Sequence, residues 1–379
     1  MIIVYITILL LLIYSVLIVY YAVAWKSIPG FEIPDNYTPN TKLSVIVPAR
    51  NEENNIGACL YSLAEQDYPS NLFEVIIVND YSTDRTAEII QSFSLPNFKL
   101  LNLQDEPSSF PAKFAHKKKA IETGVANACG ELIITTDADC FFDRHWLKSI
   151  ASYYDEKRPV FIAAPVALHH ENSAIKIFQS LDFLSLQGIT GASVHKKMHT
   201  MCNGANLAYE RKVFFEVGGF TGIDDIASGD DMLLMYKIYQ RYPGKILYLK
   251  SQKSIVHTNA VETIKEFFQQ RIRWASKASK FHDKTIVAVL LVVYLLNFFL
   301  LALLVFSFFV PSLWVWFGSL VLIKFVIELV FLIPVTRFFS KRKLLWFFLP
   351  AQPFHFVYTV IAGFLGQTGS YEWKGRRVK

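Results

Sequence analysis

Two aspartates separated by one residue follow a short apolar run. Residues Leu132–Asp139 read LIITTDAD, so Asp137 and Asp139 stand just beyond the run. Such a run is typical of a strand buried on both faces, and strands of parallel sheets end at the edge where α/β proteins bind ligands. Neighbouring carboxylates repel each other unless a cation neutralises them, and oxygen ligands suit Mg²⁺ or Mn²⁺. The pair therefore predicts a site for a divalent metal and a phosphate, although Asp-x-Asp also occurs in ordinary surface turns.

Earlier segments predict a sheet that would position this pair. Apolar runs indicate a strand at Leu43–Val47, which Pro48 stops, and another at Glu74–Val78, which ends before Asp80. A third strand is predicted at Phe98–Leu103, with helices at residues 54–66, 85–93 and 117–128. Strand and helix thus alternate up to LIITTDAD. This alternation predicts an α/β domain with a mostly parallel, doubly wound sheet.

The composition predicts a globular domain held by membrane helices. The chain has 379 residues, 53% of them hydrophobic, and a mean hydropathy of +0.30, which is too apolar for an ordinary soluble protein. Four apolar runs are each close to the length of about 20 residues that a spanning helix needs: Met1–Ala24, Thr285–Val310, Ser312–Val335 and Leu344–Leu365. The first run lacks the basic start of a signal peptide and is followed closely by Lys26, so it predicts an anchor rather than a cleaved signal.

Cysteine spacing and net charge indicate the cellular compartment and the binding partners of the protein. Four cysteines show neither paired metal-binding spacing nor a disulfide framework, which indicates a reducing compartment: Cys59, Cys129, Cys140 and Cys202. The net charge of +6 suits anionic lipid headgroups and phosphates better than nucleic acid. We therefore expect a membrane partner and no nucleic-acid partner.

A series of motifs resembles one enzyme family. In chain order they are PARNEEN, VNDYSTD, KKKAIETG, TTDADC, NGANLAYERKVFFEVGGF, SGDDMLL and QRIRW. Their joint order, over about Lys42–Lys280, resembles the inverting glycosyltransferases of family 2. The resemblance implies a GT-A fold, which is a Rossmann-like domain for nucleotide-diphosphate sugars, here framed by transmembrane helices.

The resemblance also implies roles for particular residues. Asp231 would be the general base and Asp230 the second acid of a pair that is commonly Glu-Asp in the family. Asp137 and Asp139 would bind Mg²⁺ or Mn²⁺ and the diphosphate, with Lys117 near the diphosphate. The nucleotide would be held by Pro48, Ala49, Arg50, Glu52 and Asp80. Arg273 would close over the diphosphate. Gln270 and Trp274 would contact the acceptor. Ordinary alternatives are helix capping for the acid pair, an Asx turn for Asp80, helix-dipole pairing for Glu52 and a membrane-surface helix for the last motif.

These expectations divide the chain into regions and set its orientation. The predicted regions are an N-terminal transmembrane helix (1–25), a linker (26–41), the GT-A catalytic domain (42–259), an amphipathic interfacial helix with QxxRW (260–284), a membrane region of two or three helices (285–366) and a basic tail (367–379). Nucleotide sugars are made in the cytosol, so the catalytic domain of this integral membrane protein should face it. The basic loop Arg337–Lys343 agrees with that orientation if two helices lie between it and the domain. Pro350 and Pro353 should break the run Leu344–Leu365 early. The basic tail agrees with a cytosolic orientation only if this run enters and leaves the membrane on the same side rather than crossing it.

The expected function is transfer of a sugar, from UDP-sugar above all, to a membrane-associated hydroxyl. A lipid acceptor is favoured because the resemblance extends to ceramide, hopanoid and carotenoid glycosyltransferases. QxxRW leaves open a processive polysaccharide synthase of the cellulose, chitin, hyaluronan or poly-N-acetylglucosamine type, which would need oligomers to build a channel. A non-catalytic assembly protein is a further alternative. Lys324 and Glu328, four residues apart in an apolar span, should pair with each other or line a path for the acceptor.

Overall fold

The computed structural model describes residues 1–93, 95–105, 115–224, 226, 229–368, 371–373 and 376–378. Ser228 of the SGDDMLL motif and part of the predicted basic tail lie outside these residues. The chain forms two compact units. The α/β unit comprises Pro29–His169 and Thr200–Asn259, and the helical unit comprises Met1–Ile28, His170–His199 and Ala260–Lys379. Residues 170–199 thus belong to the helical unit, although they fall inside the range predicted for the catalytic domain.

The α/β unit contains ten strands and six α-helices within the described residues. The strands are β1 Leu43–Ala49, β2 Phe73–Asn79, β3 Phe98–Asn102, β4 Leu132–Thr135, β5 Phe141–Phe142, β6 Phe161–Ala163, β7 Val166–His169, β8 Leu207–Glu210, β9 Ile246–Tyr248 and β10 Val256–Asn259. Numbered along the whole chain, its helices are α2 Ile56–Ala64, α3 Thr86–Ser92, α4 His116–Ala126, α5 Trp146–Lys157, α7 Arg211–Glu216 and α8 Met232–Arg241, and a 3₁₀ helix covers Gln252–Ser254.

The main sheet is mixed but mostly parallel. Its strand order is β3-β2-β1-β4-β8-β6-β9, and three strands, β5, β10 and β7, form a second sheet. β1 is parallel to both β2 and β4, and β2 is parallel to β3. β8 is antiparallel to β4 and to β6. The predicted α/β fold with a mostly parallel sheet is confirmed, and the antiparallel strand β8 is an addition to it.

The predicted stop of the first strand at Pro48 is wrong. β1 continues to Ala49, with Pro48 opposite Val78 of β2. On its other side β1 pairs with β4 only as far as Ile46, which lies opposite Thr135. The Ala49 carbonyl points toward β2, where it accepts from the Asp80 N–H. Successive residues of a strand direct their backbone groups to opposite sides, so the backbone of Pro48 points toward the β4 side. The pairing with β4 has ended before this position. Proline lacks an N–H but is tolerated there because no ladder bond is lost.

The helical unit contains six α-helices within the described residues. They are α1 Ile2–Ser27, α6 Ala174–Lys196, α9 Ile264–Ala275, α10 Lys284–Ser307, α11 Leu313–Phe338 and α12 Phe348–Thr368, with 3₁₀ helices at Ala278–Lys280 and Arg342–Phe347 and strands β11 Tyr371–Trp373 and β12 Arg376–Val378. Four segments are long and apolar enough to cross a membrane: Ile2–Ser27, Lys284–Ser307, Leu313–Phe338 and Arg342–Gln367. Val16 of α1 and Val315 of α11 are 72% and 73% exposed, as expected for surfaces that face lipid.

The expectation that two prolines break the last apolar run is also wrong. α12 begins at Phe348, before Pro350 and Pro353, and continues unbroken to Thr368. Pro350 stands in the first turn, where an N–H has no partner within the helix. Pro353 removes a single backbone hydrogen bond from a helix of 21 residues.

Candidate active site

The two aspartates that follow β4 lie at the carboxyl end of the parallel strands. The Thr136 N–H donates to the Ile46 carbonyl, which keeps the chain beside β1 before it turns away. Asp137 and Asp139 are half-buried in this turn. Cys140 Sγ lies 3.7 Å from Asp139 Oδ1. Burial, reinforced by the two aspartates, raises the pKa of the Cys59 and Cys140 thiols, so both stay neutral beside the carboxylates.

The three adjacent lysines at the start of α4 face different surroundings. Lys117 Nζ lies 2.7 Å from Asp137 Oδ1 and 3.1 Å from Asp230 Oδ2. Burial works against the charged form of Lys117, but the carboxylates of Asp137, Asp230 and Asp231 outweigh it and hold its pKa well above the ordinary value. Lys118 is buried and donates to the carbonyl oxygens of Ile223 and Ile226, at 2.5 and 2.6 Å. Lys117 is therefore a permanent cation between the acids, and Lys118 anchors a loop.

The acid pair Asp230-Asp231 stands at the start of α8. Asp231 is the N-cap residue of this helix, and its Oδ1 accepts from the Met232 N–H at 2.7 Å. Its Oδ2 accepts from the Gly204 N–H at 3.2 Å. The expected capping role is thus present, but the second backbone donor also fixes the carboxylate against the loop that precedes β8. Asp231 is oriented from two directions, as a positioned base requires.

Gly204 is a residue that sequence reasoning missed. A β-carbon built on Gly204 would lie 3.2 Å from Asp230 Oδ2 and 3.4 Å from Lys117 Nζ. These contacts are tight, so the absence of a side chain lets three charged groups approach one backbone segment. The glycine lies in the NGAN motif, but nothing in its spacing along the chain indicates which groups it meets.

The ends of β1 and β2 bring together the residues predicted to hold the nucleotide. Arg50 Nη1 donates to the carbonyl oxygens of Asp80 and Tyr81, at 2.8 and 3.1 Å. The Asp80 side chain is buried, and its Oδ1 lies 3.0 Å from His116 Nδ1. His116 is a second residue that the sequence does not single out, because it directly precedes three lysines and resembles part of a basic, solvent-exposed run.

Pro48, Ala49 and Glu52 lie at the same sheet edge. Pro48 and Ala49 are the last residues of β1, and the Ala49 carbonyl accepts from the Asp80 N–H at 2.8 Å. Glu52 is buried, and its Oε2 accepts from Asn55 Nδ2 at 2.9 Å. This contact holds Glu52 against the residue that precedes α2. The nucleotide contacts of these residues stay predictions.

The carboxylates fit a divalent cation that is shared with a phosphate. Within the described residues, no group of three or more His, Cys, Asp or Glu side chains is arranged to hold a metal by itself. Mg²⁺, however, is usually held by one or two carboxylates together with phosphate oxygens and water. The contact between Asp137 and the Lys117 ammonium shows that this carboxylate already attracts positive charge. Asp137 and Asp139 therefore suit a cation that arrives with a diphosphate.

The three remaining site residues, Gln270, Arg273 and Trp274, lie on α9 and belong to the helical unit. A capping box between Thr263 and Glu266 starts this helix. The intervening Arg271 is buried, with its guanidinium 4.2 Å from the centre of the Trp274 ring. Gln270 Oε1 accepts from Arg271 Nη1 at 3.1 Å. The roles implied for Gln270, Arg273 and Trp274 stay predictions.

Comparisons with known proteins bear on the fold and the family. Residues 44–218 match the model described as Glycosyl transferase family 2, and residues 132–366 match the model described as Glycosyl transferase family group 2. The structure resembles that of mannosyltransferase PcManGT from Pyrobaculum calidifontis in complex with GDP-Man and Mn²⁺. The TM-score is 0.57 at 19% identity, covering 97% of this chain and 99% of that one. This likeness supports the GT-A-like fold.

Two curated relatives are similar in sequence over part of their length. Probable glycosyltransferase YdaM of Bacillus subtilis (strain 168) is 27% identical over 265 residues, which are 66% of this chain and 58% of the relative. A 4,4'-diaponeurosporenoate glycosyltransferase of Staphylococcus aureus (strain USA300) is 37% identical over 102 residues, 27% of this chain and 25% of the relative. The match therefore spans less than two thirds of either relative. The family model that covers residues 132–366, more than half of the sequence, shows that the chain belongs to glycosyl transferase family group 2.

Proposed function

We propose that the protein is an inverting glycosyltransferase that moves a sugar from a nucleoside diphosphate sugar to a hydroxyl acceptor at a membrane. One observation carries the proposal. Lys117 Nζ lies between Asp137 and Asp230, at 2.7 and 3.1 Å, next to the oriented carboxylate of Asp231. Three distant segments of the chain thus converge on one cation and a set of acids at the ligand-binding edge of the sheet.

The proposed reaction is a single displacement. The acceptor hydroxyl oxygen attacks the anomeric carbon while the bond from that carbon to the diphosphate oxygen breaks. Asp231 takes the hydroxyl proton, because a hydroxyl with a pKa far above neutrality is a poor nucleophile until it loses that proton. Attack opposite the leaving group inverts the anomeric configuration. Lys117 stabilises the negative charge that develops on the departing nucleoside diphosphate.

Asp137 and Asp139 would hold a divalent cation, Mg²⁺ or Mn²⁺, in this proposal. Such an ion supplies charge stabilisation to the diphosphate when it is bound. The Pyrobaculum mannosyltransferase was solved in complex with GDP-Man and Mn²⁺, which concerns that protein's own donor and metal. For this chain we propose UDP as the nucleotide, on the resemblance of its motifs, and the ends of β1 and β2 with Asp80 as the place where it binds.

We propose a lipid as the acceptor. The four helices that are long and apolar enough to cross a membrane would keep the protein where lipid hydroxyls are presented. One relative is named for glycosyl transfer to 4,4'-diaponeurosporenoate, but the similarity covers only 102 residues. The helices are therefore the main support, and the relative adds little.

Thermal unfolding in the presence of nucleotides tests the donor and metal sites together. UDP and UDP-sugars should raise the unfolding temperature in the presence of Mn²⁺ more than in its absence, since a ligand that binds only the folded state stabilises it. GDP and GDP-mannose are measured in parallel. The Asp139→Ala variant should lose the metal-dependent part of the shift. An equal shift with and without metal, or an unchanged metal-dependent shift in Asp139→Ala, contradicts the metal assignment.

A further inference from the structure

The helical unit contains a buried ion pair inside an apolar helix. Lys324 and Glu328 of α11 are both buried, and Lys324 Nζ lies 2.6 Å from Glu328 Oε1. Gln352 of α12 bridges them, because its Oε1 accepts from Lys324 at 2.9 Å and its Nε2 donates to Glu328 Oε2 at 2.8 Å. The Tyr14 hydroxyl of α1 donates to Glu328 Oε1 at 2.5 Å. The expected pairing of Lys324 with Glu328 is confirmed, and three helices contribute to it.

A second charged pair lies in the same unit. Arg271 of α9 and Asp182 of α6 are joined at 2.7 Å, and both side chains are buried. The Tyr358 hydroxyl of α12 donates to Asp182 Oδ1 at 2.5 Å. Each pair joins one cation to one carboxylate, so neither adds net charge to the interior. Paired charges of this kind are costly to bury, but they leave no net charge that would attract a charged ligand.

The carboxylate partner of each pair, Glu328 in one and Asp182 in the other, lines one cavity of about 70 Å³. Its polar lining consists of Tyr14, Asp182, Ser185, Glu328, Gln352 and His355. Leu332 and Phe348 are among the side chains of its apolar lining. His355 Nδ1 is buried, and among the described residues none makes a hydrogen bond with it. A buried ring nitrogen without a partner costs free energy, so a hydrogen-bonding group that reached His355 Nδ1 from the cavity would lower this cost.

We propose that this cavity binds the hydroxyl-bearing end of a neutral lipid. A hydroxyl both donates and accepts, so it can pair with His355 Nδ1 in either tautomer and with a neighbouring carboxylate or amide oxygen. A charged headgroup is disfavoured, because both ion pairs are already neutral. Water alone would meet the polar groups, but it would also lie against the apolar wall.

The inference does not rest on the proposed transferase activity. A lipid acceptor and a lipid retained from the bilayer carry the same hydroxyl chemistry. The cavity is lined by α1, α6, α11 and α12 of one unit, so it can be tested without reference to the candidate active site.

Photolabelling of the full chain in phosphatidylcholine nanodiscs tests the proposal. The probe is hexadecanol with a photoreactive group in its chain, and the competitors are hexadecanol, its methyl ether and hexadecyl phosphate. We expect saturable labelling of peptides from α11 and α12, with hexadecanol competing at least about fivefold better than the ether or the phosphate, as loss of one hydrogen bond implies. Adding a donor sugar distinguishes a lipid acceptor from a lipid retained from the bilayer. Recovery of the probe as a glycoside identifies an acceptor, and recovery unchanged identifies a retained lipid.

Two variants alter the cavity in different ways. Ala351→Leu fills it without removing a polar group, and His355→Phe removes the unpaired nitrogen at similar size. Each should lower the labelling about fivefold. Val16→Leu, at a position of α1 that is 72% exposed, is the control and should leave labelling unchanged. Size-exclusion profiles establish that each variant is folded. Labelling that both folded cavity variants retain means that the probe binds elsewhere, and a methyl ether that competes as well as the alcohol means that the hydroxyl is not recognised. Either result overturns the proposal.

Discussion

Lys117 is the side chain on which the candidate active site depends most directly. It contacts Asp137, which follows β4, and Asp230, which precedes α8. The same carboxylates that hold its pKa high keep it charged throughout the neutral range, so it is available there as a cation for a diphosphate. In the proposed reaction this charge balances the leaving group, and Asp231 takes the proton. The two tasks fall on different residues, so they are separable by mutation.

Replacing Lys117 with methionine should lower kcat by about 10² to 10³, the usual cost of losing one preorganised charge that stabilises a transition state. Steady-state kinetics of sugar transfer measure this. Lys99→Met removes the same charge from an exposed position on β3 and serves as the matched control. If both variants lose activity equally, the effect comes from net charge and Lys117 has no specific task.

At the scale of elements, the site is assembled from strand ends and the starts of two helices, α4 and α8. The apolar runs predicted β1, β2 and β4 to within two residues at each end, because buried parallel strands have short, unbroken apolar sequences. β3 was predicted as closely, although it is an edge strand and only partly buried. The helix α6 was not predicted. Most of its residues are buried, which removes the polar face that marks a helix in a sequence.

The predicted site residues were recognisable only through the order of the motifs. Asp137, Asp230 and Lys117 are far apart in sequence, and nothing in their spacing measures the distances of 2.7 and 3.1 Å that join them. Gly204 and His116 were missed for the same reason. Their importance arises from the groups that they meet in space. Pro48 is a residue to which sequence reasoning gave too much weight. It does not stop β1, because the pairing of β1 with β4 ends at Ile46, before the proline.

Gly204→Ala tests whether this close approach matters. The added methyl group would lie 3.2 Å from Asp230 Oδ2, so the acid pair or the loop must move by a few tenths of an ångström. We expect kcat to fall by about tenfold or more, since small displacements of catalytic groups are costly. Gly57→Ala, in α2, meets nothing within 4 Å and is the control. It should leave kcat unchanged and stabilise the fold by about 0.5 to 1 kcal/mol. Equal activity of the two variants argues against a constrained site.

At the scale of the whole molecule, the proposal requires the α/β unit to face the compartment that supplies nucleotide sugars. Within the described residues the cysteines differ in access, because Cys129 is exposed while Cys59, Cys140 and Cys202 are buried. Cys129 also lies in the α/β unit, just before β4. It is therefore a natural reporter of the side on which this unit lies.

A membrane-impermeant maleimide should label Cys129 only after the cells are permeabilised. Cys129→Ser is the control and should remove the signal in permeabilised cells, since the buried thiols react slowly. Labelling of wild-type protein in intact cells would place the α/β unit outside and would contradict the cytosolic orientation.

Sugar transfer is tested most directly by the product that the purified full chain makes from labelled UDP-sugars, Mn²⁺ and a membrane lipid extract. We expect an organic-soluble product with one added sugar of inverted anomeric configuration. Asp231→Asn should lower its rate of formation by about 10² to 10⁴, the usual contribution of a general base, while the donor-induced thermal shift persists. A long water-soluble polymer would contradict the lipid acceptor, and a product of retained configuration would contradict the single displacement at Asp231.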